Sequence, residues 1–225
     1  MKEDVLEQIV DDYLQFKGYF TIHNVRFKPY HGHEDYVPDQ DRVSSDVDVV
    51  GYRPIGPTND RVIVVSCKSW QTGFNPRRKL TELREDAGPR KRHTWRHFRE
   101  LWIPKWSEAF RGEISRLTGE ETFSYRIAVT RFQGDDSETW ATSWAEDPTI
   151  KVNLPGCSVG FLTLEEMWGT MLNELKRTPA ASEMGRLAQL LKAAGLTAET
   201  QVVPAGSPIP GSEAALVAEI ESAQD

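Results

Sequence analysis

An α/β fold, with a mixed β-sheet flanked by helices, is what the order of hydrophobic patterns predicts. Two observations carry it. A helix-period stretch opens the chain, and strand-like segments then cluster before giving way to helical runs alternating with further strands. The size agrees: 225 residues, 39% apolar and 27% charged, can bury the core of one substantial domain with an appendage. No apolar run nears the ~18 residues a membrane span requires. The acidic start at Glu3-Asp4 lacks the basic lead of a secretory signal. Cys67 and Cys157 are too few for a disulfide framework or a cysteine-rich zinc site. A cytoplasmic protein with no membrane partner is expected.

The elements come in a clear order. Val5, Leu6, Ile9, Val10, Tyr13, Leu14 and Phe16 recur at three- and four-residue spacing, predicting an amphipathic helix that stops at Gly18. Tyr19 to Phe27 is β-branched and aromatic and reads as a strand, followed by a polar loop from Lys28 to Ser44. Strands are predicted at Asp46–Tyr52 and Arg61–Lys68, joined by a turn-rich link, Arg53 to Asp60, short enough for a hairpin. Val62 to Val65 does not alternate, as expected of a strand covered on both faces.

Asn75 to Gly119 reads as mostly helical, interrupted at Gly88-Pro89 and at Pro104. Phe123 to Phe132 is a second buried strand. A short strand at Ser158–Leu162 leads into a helix capped by Thr163 with Glu166 three residues on. Ser182 to Ala194 is a C-terminal helix, and Gly195 ends it. From Thr197 the composition turns to Ala, Pro, Gly and Glu without Lys or Arg. The expected organisation is a main domain over 1–178, a helix over 179–196 and a mobile tail over 197–225.

Net charge is −7, yet it is segregated. Between Arg77 and Arg99 nine bases face three acids, a local balance of +6 that leaves the rest of the chain at −13. Local potential, screened over about 10 Å, steers a polyanion, so an acidic protein can carry a nucleic-acid surface. Arg77, Arg78, Lys79, Arg90, Lys91, Arg92, Arg96 and Arg99 are the candidate phosphate contacts. Trp70 is the aromatic expected near a base.

The chemistry gathers at the two central strands. Residues two apart share a face, so Asp46 and Asp48 point one way, as do Ser66 and Lys68. A hairpin would bring two carboxylates, a hydroxyl and an ammonium to one end of the sheet. Charges inside apolar strands are costly unless paired or metal-bound. A divalent cation, Mg²⁺ or Mn²⁺, answers that cost, with Asp48 as main ligand, Asp46 beside it and the Cys67 carbonyl as another donor.

Asp48-Val-Val-Gly-Tyr, the short hairpin and Val-Ile-Val-Val-Ser66-Cys67-Lys68 resemble the core of the PD-(D/E)XK nuclease superfamily. The resemblance covers about Met1 to Gln71. It implies a restriction-endonuclease-like fold and phosphodiester hydrolysis, with Glu7 on the first helix reaching the metal and Gln71 as a polar residue near the site. One departure stands out: the second acid of that pattern falls on Ser66, a weaker ligand for a hard cation. Asp46 is the preferred substitute, with Glu7 or a later helix acid such as Glu100 as the others. The expected activity is metal-dependent cleavage of nucleic acid, DNA first. The partners are that DNA and a second copy of the chain. The alternative is a catalytically silent module of the same fold that binds nucleic acid or a protein.

Overall fold

The computed structural model describes residues 5–57, 60–87, 93–174 and 182–195. By packing, the chain divides into one unit of Met1–Leu190 and another of Leu191–Asp225, and the sheet with the helices packed on it belongs to the first. Both the expected break at 178/179 and the expected tail over 197–225 lie outside the described residues.

Helix α1 (Val5–Phe16) buries Leu6, Ile9, Val10 and Leu14, the stripe its periodicity predicts. Strand β1 (Phe20–Phe27) follows, then the single turn α2 (Pro38–Asp41). Next come β2 (Ser45–Tyr52) and β3 (Val62–Lys68). Then α3 (Pro76–Arg84), a 3₁₀ turn at Thr94–His97, α4 (Arg99–Trp102) and α5 (Pro104–Thr118) lead to β4 (Ser124–Val129). The chain continues through α6 (Ser137–Ala145), α7 (Pro148–Asn153), β5 (Ser158–Thr163), α8 (Leu164–Glu174) and α9 (Glu183–Ala193). The helical run is interrupted at Pro104 as expected: α4 ends at Trp102, and Pro104 begins α5, where its missing N–H costs nothing. Thr163 caps α8 as predicted, its hydroxyl accepting the Glu166 N–H at 3.1 Å.

The five strands lie in chain order, β1-β2-β3-β4-β5. The pairs β1/β2 and β2/β3 are antiparallel, while β3/β4 and β4/β5 are parallel. This is the mixed sheet the sequence predicts. Side chains alternate across it into two cores. Val50, Val64, Tyr125 and Ile127 pack under Leu80, Leu101, Phe110 and Trp144. Val49, Ile63, Val65 and Leu162 pack under α1 and Met167 of α8. Val62, Val64 and Val65 are wholly buried, which accounts for the unalternating run. Among the described residues no helix is long and apolar enough to cross a membrane.

The long loop after β1 is tied down by a buried ion pair. Asp41, fully buried, accepts the Val37 N–H at 2.7 Å, the Lys105 ammonium at 2.6 Å and the Trp106 indole N–H at 3.0 Å. Burial alone would raise its pKa, but these donors together hold it below the usual carboxylate range. Its stabilisation is therefore present above the ordinary pKa of about 4 and lost as pH falls through the lower folded value. Lys105→Met is expected to cost about 3 kcal/mol near neutral pH by leaving a buried charge uncompensated. Urea unfolding of both proteins should show that gap narrowing as pH falls below about 4, where the unfolded chain takes up the proton first and folded Asp41 follows at lower pH. A gap that persists unchanged would mean that Lys105 acts through packing.

Candidate active site

The register of β2 and β3 assembles the candidate site. Their backbone ladder runs from Tyr52↔Val62 to Val49↔Val65. At the next position the Cys67 N–H donates to Asp48 Oδ2 at 2.5 Å, so a carboxylate continues where the ladder stops. In extended chain the N–H and C=O of one residue face the same neighbour, so the Cys67 carbonyl faces this fork too. Ser66 and Lys68 project from the face that also carries Val64. The Lys68 ammonium donates to Ser66 Oγ at 2.8 Å and lies 5.6 Å from the centre of the Phe98 ring.

A further acid comes from α4. Phe98 and Leu101, both fully buried, seat this single turn against the sheet, and Asn153 donates to the Leu101 carbonyl at 3.0 Å. Glu100 is thereby held inside at 5% exposure. Its Oε1 accepts a short hydrogen bond from the Tyr125 hydroxyl of β4. Ser66, 3% exposed, acts on both Asp48 and Tyr125 through its hydroxyl.

Electrostatically these residues form one unit. Burial raises the Asp48 pKa; Lys68 and the Cys67 N–H oppose the shift, and Asp46 adds to it. Burial raises Glu100 as well, against the pull of Lys68 and Tyr125, with Asp48 adding repulsion. Tyr125 is pushed well above its ordinary value by burial and by the Glu100 charge, so it stays a donor. One ammonium does not fully offset two desolvated carboxyls. Mg²⁺ is commonly held by one or two carboxylates with waters and substrate phosphates, and this donor set fits that habit. Among the described residues there is no group of three or more His, Cys, Asp or Glu that could hold a metal ion, so the two carboxyls would need the Cys67 carbonyl and waters to complete a shell.

The other expected residues are placed differently. Asp46 is exposed, paired across the ladder with Arg26, and touches the cluster only through its charge on Asp48. Glu7 is half-buried on α1, whose apolar side packs with Val65 and Cys67, across β3 from Ser66 and Lys68. Gln71 is exposed in the turn beyond β3. Trp70 stacks on Phe74 at 5.5 Å and meets His97 edge-on at 6.1 Å. Of the basic set, Arg77, Arg78 and Arg96 are exposed. Arg99 is half-buried, its guanidinium 4.8 Å from the Trp106 ring centre. Lys79 is a correction: it is 6% exposed and bound to Glu82 at 2.7 Å, so it does not face solvent. Arg90, Lys91 and Arg92 lie outside the described residues. The sequence reading missed Tyr125, since a tyrosine within a buried strand reads as core.

No protein-family model and no curated protein matches the chain. Among solved structures it is similar to the crystal structure of a protein of unknown function, AF1548, with 12% identity over 86% of this chain and 79% of that one. The TM-score is 0.35, a likeness that carries no functional argument.

A raised carboxyl pKa has a fixed sign in stability. The folded state disfavours the charged form, so the cost is present above the folded pKa and absent below the unfolded one. Asp48→Asn, which can still accept the Cys67 N–H, is therefore expected to raise the melting temperature at pH 7 and to leave it unchanged near pH 3. A neutral-pH melting temperature that falls would show that the carboxylate is net stabilising through Lys68.

Proposed function

We propose that the chain is a divalent-metal-dependent nuclease that hydrolyses phosphodiester bonds in DNA, with the PD-(D/E)XK core its motif resembles. The observation that carries this reading is the convergence of Asp48, Lys68 and Glu100 around the open end of β2 and β3. Glu100 takes the place the sequence leaves to Ser66: the second carboxylate comes from α4, the later single turn, rather than from the strand. Asp48 and Glu100 would hold Mg²⁺ or Mn²⁺, with the Cys67 carbonyl at the same fork. The ion would supply electrostatic stabilisation of the phosphoryl oxygens and a nucleophilic water at neutral pH.

The chain's own groups do the rest. Lys68 sets its ammonium where charge develops on the phosphoryl group and can hold the attacking water. Ser66 fixes the rotamer of Lys68, and Tyr125 fixes the orientation of Glu100. Arg77, Arg78 and Arg96 offer exposed guanidinium groups to the phosphate backbone, and Arg99 lends charge from between two indole rings. Exposed basic contacts of this kind make binding salt-dependent.

The second reading, a silent module of the same fold, is favoured by one feature: Glu100 is almost wholly enclosed and already bonded to Tyr125. Incubating supercoiled and linear DNA with Mg²⁺ or Mn²⁺ separates the two. Cleavage is expected, falling about 10²–10³-fold in Asp48→Ala, Lys68→Ala and Glu100→Gln while far-UV circular dichroism is unchanged. Activity that survives all three substitutions would remove this cluster from the mechanism. Salt-dependent DNA binding without cleavage, and without calorimetric heat from millimolar metal, would establish the silent module.

A further inference from the structure

A cavity of about 530 Å³ opens on the opposite face of the sheet, between α1, β5 and the start of β3. Ile63, which lines it, precedes Lys68 by five residues, about 17 Å along β3, and points to the other side. The cavity therefore belongs to no part of the proposed active site. Its volume is that of a small-molecule pocket. Leu14, Ile63 and Leu162 form apolar wall, and Tyr13 and Tyr19 add ring surface. Lys17, Arg53 and Arg126 bring three cations against the carboxylates of Asp60 and Glu166.

The cations are not equivalent. Arg53 is taken up by Asp60, to which it binds through its side chain, while the Asp60 carbonyl accepts the Tyr19 hydroxyl at 2.8 Å. Arg126 differs. Its Nη1 donates to the Tyr125 carbonyl at 3.0 Å and to Ser158 Oγ at 3.3 Å. Among the described residues its Nε and Nη2 make no hydrogen bond. Gly160, its direct partner on β5, makes room for it: a Cβ there would stand 3.3 Å from Nη1. Burial draws the Arg126 pKa down, and exposed Glu166 is the first group opposing that. A half-buried guanidinium with two unused donor positions, beside Lys17 and apolar wall, has the makings of an oxyanion receptor.

We propose that this cavity binds a small organic anion, a phosphate monoester or carboxylate on an apolar or aromatic body, with Arg126 as the anchor of the oxyanion and Lys17 at its side. This stands apart from the nuclease reading and does not depend on it.

Titration calorimetry on the full chain tests it, with phenyl phosphate and phenylacetate as the two oxyanion arms and benzyl alcohol as the uncharged body. Saturable heat with either anion, and none with the alcohol, is expected. Arg126→Met should weaken that binding about tenfold or abolish it, at unchanged circular dichroism. Lys17→Met, at an exposed position, should weaken it about threefold and decides the question should Arg126→Met fail to fold. The proposal is overturned by no saturable heat from either anion up to ~10 mM. It is equally overturned by wild-type affinity in the folded variants, or by the alcohol binding as well as the anions.

Discussion

The hydrogen bond from the Cys67 N–H to Asp48 is the constraint on which the candidate site rests. It closes the fork where β2 and β3 part, and it does so with a side chain instead of a backbone carbonyl. The register behind it is firmly set, because Val49 and Val50 enter opposite cores and Val62, Val64 and Val65 are wholly buried. A slip of one residue would turn Ser66 and Lys68 toward α1 and send Cys67 to the other side. Hydrophobic burial along β3 thus determines which polar atoms meet at its end.

What meets there is under-neutralised by its surroundings. Asp48 and Glu100 are both desolvated, the Asp48 charge adds to the rise at Glu100, and Lys68 is the cation that opposes both shifts. Such a pair of carboxyls has a reason to prefer a cation and, through it, a phosphate. The donors around them are already fixed: Tyr125 stays protonated, Ser66 holds the ammonium, and the backbone of Cys67 is rigid within the sheet. A constellation held by strands and one seated turn needs little rearrangement to bind a charged group, which is the condition under which electrostatic stabilisation is effective.

The strand segments, the hairpin and the face shared by Ser66 and Lys68 were legible because a period of two and a short turn need only local sequence. Burial was less so. Alternation puts Asp46 on the face of Asp48, but its position near the exposed start of β2 leaves it in solvent. Glu100 was visible as one acid among several on a helical stretch. Its selection depends on Phe98 and Leu101 seating a single turn against β4, a contact between segments far apart in the chain. Tyr125 carried no signal, since its hydroxyl is meaningful only once Glu100 stands opposite.

The basic stretch shows the same limit from the side of charge. A count of +6 treats every base as available, whereas folding commits several. Lys79 is drawn inside to Glu82, which also accepts the Thr94 hydroxyl at 2.7 Å. Arg84 grips Asp147 at 2.9 Å, the same carboxylate that caps α7. These pairs join α3 to the 3₁₀ turn and to α7, and so hold in place the segment from which Glu100 projects. Arg77 and Arg96 are left outward with their positive potential open to a polyanion, while exposed Arg78 shares its charge with Glu82 at 3.4 Å. Part of the segregated charge therefore builds the scaffold of the site, and only the remainder is placed to attract what the site would act on.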